Sequence, residues 1–371
     1  MPTQTALSLS WPSMAVALVV TAIVSPSPAC CPAPPSGRAV VNADQTVIIL
    51  WDAATKTQHF IRQASFKSEA EDFGFLVPSP SRPELDESGN EAFSFLAQLT
   101  APEVRRIARP RQGMGCGCSA QPPSAAGTTD AEPVRVLDEK QVAGFDAVVL
   151  EADSAAALVE WLRENGFAYS PEVEAWAMPY IAQGWKMTAL KVTKNESEQK
   201  SQRVAAAALR ITFQTDRPLF PYREPDYKGS AERLGASERL LRVYFLGDAR
   251  YEGELTKEQP WSGQVAWADK LSDVNRKAIL EHLNLPESSG PAQWWLTEFE
   301  DNWPYQIAPA DLYFTASVNQ DAVKRPPVLQ YVSTGGDITL FAVAVVVVMP
   351  LFWRRRKRAA SATSGGQEKT I

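Results

Sequence analysis

Histidine is scarce in this sequence, with His59 and His282 the two among 371 residues. The sequence has no HExxH motif, no Gly-x-Ser-x-Gly nucleophile elbow, no Walker loop and no GxGxxG motif. These absences argue against zinc proteases, elbow-type serine hydrolases, P-loop nucleotide hydrolases and dinucleotide-dependent enzymes. We therefore predict no catalytic residues, no cofactor or cofactor-binding residues and no metal ligands. We expect both histidines to be structural, His59 in a strand and His282 at the C-terminal end of a helix, where its charge suits the helix dipole.

Cysteine is also rare, and the four cysteines form two close pairs, Cys30 with Cys31 and Cys116 with Cys118. In an oxidising compartment an even number of cysteines suggests disulfides. A bridge between adjacent residues is strained, so we expect the first pair to be bridged to the second. Two alternatives stay open. One is a four-thiolate metal site, although zinc ligands are usually separated by about two to four residues. The other is that the cysteines are free, or that Cys30 is lipidated.

Basic residues are absent from residues 1–29 and from residues 330–337. By contrast, the uncharged run 338–353 is followed at once by five cations, Arg354, Arg355, Arg356, Lys357 and Arg358. A helix of that length spans about 24 Å, so flanking residues must complete a hydrocarbon core of about 30 Å. The pattern predicts a C-terminal transmembrane helix whose basic flank is cytoplasmic, with the lipid bilayer as the partner of 338–353. A buried valine-rich strand is the alternative.

The apolar run Ala15–Val24 is too short to span a membrane and suits the hydrophobic part of a signal peptide. Small residues at Ser27 and Ala29 predict cleavage after Ala29, although the basic region that usually opens a signal peptide is missing. An N-terminal core strand and a lipoprotein signal with Cys30 lipidated are the alternatives. The predicted localisation is a single-pass membrane protein with its N-terminus in the periplasm or at the cell surface and its C-terminus in the cytoplasm.

The chain is acidic, with a formal net charge of −6. Since the last 18 residues carry a net charge of +5 and the first 29 carry none, residues 30–353 carry −11. An acidic exterior repels phosphate backbones, so we predict no nucleic-acid partner.

Composition also divides the chain into segments. The polar, proline-rich stretch 119–133 predicts a flexible loop inside the extracytoplasmic domain. The predicted segments are a signal peptide (1–29), a β-rich part (30–118), the flexible loop (119–133), an α+β part (134–320), a juxtamembrane linker (321–337), a transmembrane helix (338–353) and a basic cytoplasmic tail (354–371).

Alternating apolar residues predict strands, and apolar residues three or four apart predict helices. The predicted strands are Val47–Trp51, Thr57–Phe66, Asp72–Val77, Val142–Glu151, Trp185–Val192, Val204–Gln214, Leu240–Leu246, Gln264–Trp267 and Asp311–Phe314. The predicted helices are Glu91–Leu99, Ala155–Asn165, Pro171–Ala182, Val274–Leu283 and Gln293–Phe299. Because strands and helices follow no regular order, the predicted fold class is α+β, with antiparallel sheets, a few packed helices and one C-terminal transmembrane helix.

Three motifs carry a family resemblance: FGFLVPSPSRPEL (73–85), YIAQGWKMTALKV (180–192) and ALRITFQTDRPLFPYR (208–223). Together they resemble the bacterial family catalogued as domain of unknown function 2330, and the likeness covers roughly 30–330. The resemblance implies a signal peptide and often a C-terminal span, and it implies no activity. Family members often space their first cysteines apart, whereas Cys30 and Cys31 are adjacent.

Two further groups of residues bear on function. Carboxylates cluster at Glu172 and Glu174, and at Glu298, Glu300 and Asp301; a pair about 5–10 Å apart across a cleft could hydrolyse glycosides, although such clusters are more typical of a solvated face. Aromatic side chains, which either pack in a core or form a sugar-binding or protein-binding surface, are Trp261, Trp267, Trp294, Trp295, Trp303 and Tyr305.

From these observations we predict an uncharacterised, membrane-anchored extracytoplasmic protein without enzymatic activity. It would act as a binding or envelope-structural module, with an envelope protein or a glycan as partner. The alternative is an extracytoplasmic hydrolase that uses acidic residues.

Overall fold

The structure, a computed structural model, describes residues 31–33, 38–70, 72–108, 135–142, 145–167, 171–193, 203–205, 208–226, 228–235, 238–256, 260–304 and 310–332. In this part of the chain there are eighteen strands and five helices. The strands are β1 (Cys31–Ala33), β2 (Val40–Asp52), β3 (Thr57–Ser68), β4 (Asp72–Ser79), β5 (Glu84–Glu87), β6 (Val104–Ala108), β7 (Arg135–Val142), β8 (Phe145–Glu151), β9 (Lys186–Thr193), β10 (Arg203–Ala205), β11 (Leu209–Gln214), β12 (Leu219–Phe220), β13 (Glu238–Gly247), β14 (Tyr251–Glu254), β15 (Gln264–Lys270), β16 (Trp295–Pro304), β17 (Leu312–Ala316) and β18 (Val328–Val332). The helices are α1 (Glu91–Leu99), α2 (Ala155–Glu164), α3 (Pro171–Ile181), α4 (Lys228–Arg233) and α5 (Asp273–His282).

Two large sheets organise the fold. The larger sheet has eight strands in the order β15-β16-β13-β2-β3-β11-β5, with β10 beside β3, and the smaller sheet has the order β1-β4-β9-β8-β7. Every pairing in the two sheets is antiparallel except the central one between β13 and β2. Two small sheets complete the described part: β12-β17-β14, and a parallel pair of β18 with β6.

The two large sheets pack face to face. Alternation along β2 sends Val47, Ile49 and Trp51 into one core, which they share with Phe73, Phe75 and Val77 of β4 in the smaller sheet. The three-stranded sheet borders the same core. The core between the two large sheets includes Phe220, Leu312 and Phe314 from this small sheet. The largest apolar cluster of the described chain therefore lies between sheets.

Helices cover the outer face of each sheet. Leu158, Trp161 and Leu162 of α2, with residues of α3, pack on the smaller sheet, and residues of α1 and α5 pack on Ile48 and Leu50 of the larger sheet. Serine caps start two of these helices: the Ser154 hydroxyl accepts a hydrogen bond from the Ala157 amide at 3.0 Å, and the Ser272 hydroxyl accepts one from Asn275 at 3.3 Å. The result is four layers: helices, sheet, sheet, helices.

The α+β prediction is wrong, because the described chain is mostly β-sheet with five helices of six to eleven residues. None of these helices is long and apolar enough to cross a bilayer. The predicted transmembrane segment 338–353 lies outside the described residues. The predicted helix Gln293–Phe299 is also wrong, because this stretch runs into strand β16, which is held between β13 and β15.

Both large sheets mix strands from before and after residues 119–133: β4 pairs with β9, and β2 pairs with β13. The loop 119–133 lies outside the described residues. The division of the extracytoplasmic domain into a β-rich part (30–118) and an α+β part (134–320) stays a prediction.

Gly74 of β4 shows how tightly the smaller sheet is packed on its helical side. A Cβ atom at this position would overlap the ring of Phe167 and lie 3.2 Å from the Cβ of Ala33. We expect Gly74→Ala to lower the free energy of unfolding by about 1–3 kcal/mol through overpacking, as measured by urea titration. Gly229→Ala is the matched control, because Gly229 lies in helix α4 and its added Cβ would meet nothing within 4 Å apart from the adjacent backbone. The control should be neutral or slightly stabilising. Equal effects of the two substitutions would contradict the close contact at Gly74.

Candidate functional site

A groove of about 690 Å³ opens on the helical side of the larger sheet. Three stretches of chain form its walls: residues 99–105 from the last residue of helix α1 onward, residues 267–271 at the end of β15, and residues 324–327 before β18. Asn275 of helix α5 completes the lining. We refer to this space, bounded by these residues, as the groove.

Backbone pairing fixes two of these walls against each other. The Ala268 amide donates to the Val323 carbonyl at 2.8 Å, and the Val323 amide donates back to Ala268 at 2.7 Å. Strand β15 has a register shift between Val265 and Trp267, directly before this bridge. Such a bulge re-aims the following side chains, and here Trp267 and Asp269 both line the groove.

Lys324 connects the two walls through its side chain. Its ammonium lies 4.1 Å from the centroid of the Trp267 ring and forms an ion pair with the Asp269 carboxylate. A cation above an indole ring is attracted to the electron density of the ring face. Lys324 is about half exposed, so this ion pair lies at the groove surface.

Two arginines and two glutamates form a network behind the groove, which Arg325 also lines. Arg325 contacts Glu298 at 2.8 Å and Glu300 at 2.9 Å, while Arg242 contacts the same two carboxylates at 3.0 Å and 2.6 Å. Hydrogen bonds from Arg325 hold the pKa of Glu300 below its usual range, and the pKa of Arg325 is raised in turn. Glu298 is 1 % exposed, and its Oε2 is buried without a hydrogen bond.

The predicted acidic cluster of β16 is divided between the two faces of the larger sheet. Glu298 and Glu300 lie on the helical face, whereas Asp301 points into the core between the sheets, as strand alternation requires. Asp301 accepts hydrogen bonds from Tyr222 at 2.7 Å, Trp261 at 2.9 Å and Ser262 at 2.8 Å. The three acids therefore do not converge on one space. Burial, followed by the nearby Asp301 charge, raises the pKa of Tyr222.

The second predicted acidic pair lies elsewhere. Glu172 and Glu174 occupy the first turn of helix α3, where carboxylates suit the helix dipole. This helix covers the smaller sheet, so the pair is in a different outer layer from the groove.

Two more acids are buried near the core between the sheets, and neither was selected from the sequence. Glu224 accepts two hydrogen bonds of 3.0 Å from Arg239 and one of 2.8 Å from Asn42. Asp311 accepts hydrogen bonds from the Tyr180 hydroxyl at 2.8 Å and from the Tyr222 amide at 2.9 Å. Burial raises the pKa of both carboxyls. These groups tie loops to strands from inside the protein.

The histidines have the structural positions that were predicted. His59 lies in strand β3 with its Nδ1 atom 2.9 Å from the Thr212 hydroxyl, and burial followed by the Arg210 charge lowers its pKa to about 4. His282 is the last residue of helix α5, and its ring centroid is 5.3 Å from that of Phe95. Within the described residues, no group of three or more His, Cys, Asp or Glu side chains could hold a metal ion.

The aromatic residues selected from the sequence are mainly core residues. Trp261, Trp294 and Trp295 are buried, and Trp267 is buried at 6 % exposure but borders the groove. The side chain of Trp303 and all of Tyr305 lie outside the described part.

Other predicted site residues fall mostly outside the described chain. Cys31 is fully buried in β1, where its thiol donates to the Pro32 carbonyl at 3.4 Å. The residues outside the described part are Cys30, Cys116, Cys118, Arg354, Arg355, Arg356, Lys357 and Arg358. The disulfide bridges and the cytoplasmic flank stay predictions.

Sequence reasoning missed the groove itself. Residues 324–327 fell within the predicted juxtamembrane linker. Their position is fixed by the pairing of Val323 with Ala268, more than fifty residues earlier, and a pairing between such distant residues leaves no pattern in the local sequence. The run of Lys324, Arg325, Pro326 and Pro327 is the one available signal, since two prolines beside two cations suit a rigid, charged surface segment.

Comparison with known proteins identifies a family of bacterial proteins. Residues 25–315 match a family described as "Uncharacterized protein conserved in bacteria" (DUF2330). No curated protein and no solved structure matches the chain. The resemblance inferred from the three sequence motifs is confirmed, and because the match covers well over half of the chain, the protein belongs to this uncharacterised bacterial family.

Proposed function

We propose that this protein is an extracytoplasmic binding module that is attached to the membrane near its C-terminal end and holds its ligand in the groove. The observation that carries this proposal is the groove itself, an open space of about 690 Å³ lined by charged side chains and one tryptophan. A site of this volume is in the usual range for a bound small ligand or a segment of a larger one. The partner is an envelope protein or a glycan.

The charge of the groove favours a ligand with an anionic group. Its lining has four cations, Arg105, Lys270, Lys324 and Arg325, against two carboxylates, Glu103 and Asp269. Three of these cations are held in ion pairs: Arg105 with Glu103, Lys324 with Asp269, and Arg325 with Glu298 and Glu300. Lys270 therefore supplies the surplus positive charge of the lining, in a domain whose residues 30–353 carry −11. An acidic sugar or an acidic peptide segment would gain attraction here that the rest of the domain does not offer.

Ion pairing favours binding over hydrolysis. The carboxylates behind the groove, Glu298 and Glu300, are both engaged by Arg242 and Arg325, and hydrogen bonds from Arg325 lower the pKa of Glu300. A glycosidase needs one carboxylic acid that holds a proton and a second carboxylate facing the same bond.

Sequence patterns support the localisation. The uncharged run 338–353 and the five cations after it favour membrane attachment with the last residues in the cytoplasm, and the stretch before Ala29 favours export of the domain. Confinement to a surface would place the groove near other envelope molecules.

Site-directed photocrosslinking in native membranes tests this function. A photoreactive amino acid replaces Asn275, which lines the groove, or Met178, which is 56 % exposed on helix α3 in the opposite outer layer. We expect a discrete crosslinked product at position 275, at least several-fold more abundant than at position 178. Lys270→Glu should reduce this product several-fold because it reverses a groove charge, while Lys270→Arg should retain it. Equal yields at positions 275 and 178, or a product that is insensitive to Lys270→Glu, would overturn the assignment of the groove.

A further inference from the structure

Strands β6 and β18 form a parallel two-stranded ribbon, hereafter the β6–β18 ribbon, whose register places Val104 opposite Val328 and Arg105 opposite Leu329. Residues 104–106 and 328–330 are all exposed. Among them, Val104 is 57 %, Val328 51 % and Leu329 47 % exposed, which makes them three of the exposed large apolar side chains of the described chain. Two strands without a covering layer are at best marginally stable in water, so this ribbon suits a surface that covers it.

The position of the ribbon in the chain identifies that surface. Strand β18 ends at Val332, and the uncharged run that follows begins at Ile338. Six residues reach at most about 20 Å when fully extended. If the run 338–353 is held in the membrane, the end of the ribbon must therefore lie within about 20 Å of the bilayer surface.

The side chains of the ribbon suit an anionic lipid surface. Arg105 and Arg106 are exposed on β6, and Lys324 lies shortly before β18. Glu103, directly before β6, pairs with Arg105 at 3.1 Å, and Asp269 pairs with Lys324. Apolar side chains beside arginines are the combination by which peripheral segments bind the headgroup region of anionic membranes. The strongly acidic remainder of the domain would be repelled by the same surface, which fixes the orientation.

We infer that the β6–β18 ribbon docks on the anionic phospholipid surface of the membrane that holds residues 338–353. Successive side chains of a strand point to opposite faces, so Val104, Arg106 and Val328 share one face of the ribbon, and Arg105 and Leu329 share the other. The ribbon therefore docks edge-on, with Val328 and Leu329 of β18 among the headgroups and Arg105 and Arg106 of β6 near the lipid phosphates. This inference rests on the proposed membrane attachment. It adds a second, reversible contact that orients the domain and turns the groove, whose walls include residues 103–105 and 327, toward the bilayer.

The test uses the full chain reconstituted into vesicles of phosphatidylglycerol or of phosphatidylcholine. A photoreactive amino acid replaces Leu329 or, as a matched exposed apolar control in the opposite outer layer, Met178. We expect at least fivefold more lipid adduct at position 329 than at position 178 in phosphatidylglycerol vesicles. The adduct at 329 should fall several-fold in phosphatidylcholine, in high salt, or with Arg105→Ala and Arg106→Ala combined. Unchanged thermal unfolding of the exposed-site variants verifies their folding.

Carbonate extraction of the same vesicles separates the two proposals. A chain that resists extraction but gives equal lipid adducts at positions 329 and 178 would overturn docking and leave membrane attachment intact. A crosslink at 329 to a second copy of the chain, or to another protein, would overturn docking on lipid and assign the ribbon to a protein interface. A chain that carbonate removes would overturn the attachment, and equal lipid adducts at positions 329 and 178 in that chain would overturn the docking as well.

Discussion

Replacing Arg239 with methionine is expected to lower the free energy of unfolding by about 3–5 kcal/mol, among the largest effects of any single substitution in this protein. Arg239 and Glu224 are each 1 % exposed, and Arg239 donates to both carboxylate oxygens of Glu224 at 3.0 Å. Arg239 also donates to the backbone carbonyl of Asn42 at 3.2 Å. The substitution leaves the buried Glu224 carboxylate without this cation. Losing that positive charge destabilises the folded state more than the apolar contacts of methionine stabilise it.

Urea unfolding of the full chain in mild detergent measures this effect, with Lys277→Met as the control. Lys277 pairs with Glu287 at 2.9 Å, but the two side chains are 58 % and 70 % exposed. An exposed pair contributes well under about 1 kcal/mol, so the control should be nearly neutral. The double variant Arg239→Met with Glu224→Met should be more stable than Arg239→Met alone, because it removes the buried Glu224 carboxylate that the single variant leaves without Arg239. Similar losses for Arg239→Met and Lys277→Met would contradict the importance of the buried pair.

Acidification from pH 7.5 to pH 5 is expected to lower the free energy of unfolding by about 2 kcal/mol through His59 alone. Burial in strand β3, with the Arg210 charge nearby, lowers the pKa of His59 from 6.5 to about 4. In this pH range the unfolded chain binds a proton at His59 and the folded chain does not. The contribution of His59 to the free energy of unfolding is therefore fully present above about pH 6.5 and is lost as the pH falls toward 4.

The measurement is urea unfolding of the wild-type chain and of His59→Gln at both pH values. Glutamine keeps a polar group near the Thr212 hydroxyl and does not titrate. The loss of stability on acidification should be about 2 kcal/mol smaller in His59→Gln than in the wild type. Comparing the two proteins cancels the contribution of the many carboxylates that both chains share. An identical loss in both proteins would show that His59 is not responsible.

Local sequence patterns identified most individual elements. The predicted strands Val47–Trp51, Thr57–Phe66 and Asp72–Val77 are confirmed within β2, β3 and β4, where alternation marks one face for the core between the sheets. The helix predicted over Glu91–Leu99 is confirmed with the same bounds, and the helix predicted from Ala155 begins there with its Ser154 cap. These elements have signals that reside in neighbouring residues.

Elements that depend on distant partners were predicted poorly. Strand β16 is buried on both faces over Trp295–Phe299, so it has no alternation, and its leading residues also fit a helical spacing. Its pairing with β13 and β15 decides the outcome. The fold class was wrong for the same reason, because short strands such as β5, β12 and β14 exist through their neighbours and have little pattern of their own.

The candidate site was beyond prediction on similar grounds. The groove joins residues 99–105, 267–271 and 324–327, which only the folded sheet brings together. Sequence proximity instead favoured a solvated face for Glu298, Glu300 and Asp301, whereas Glu298 and Asp301 are each 1 % exposed. The alternation of β16 sends Asp301 to the opposite face, toward Tyr222, and so separates it from the other two.

The parallel pairing of β2 with β13 also constrains how the protein acquires its structure. These adjacent strands at the centre of the larger sheet come from distant parts of the chain, and the hydrogen bond from Arg239 to Asn42 joins residues 197 positions apart. Such a high contact order slows folding, because a long segment must be ordered before the contact forms. During synthesis from the N-terminus, β2 can pair with β3 on one side early. Its other edge stays open until β13, which ends at Gly247, has been made. Open edges of this kind recruit strands from other chains, so a nascent copy needs protection from its neighbours for most of its synthesis.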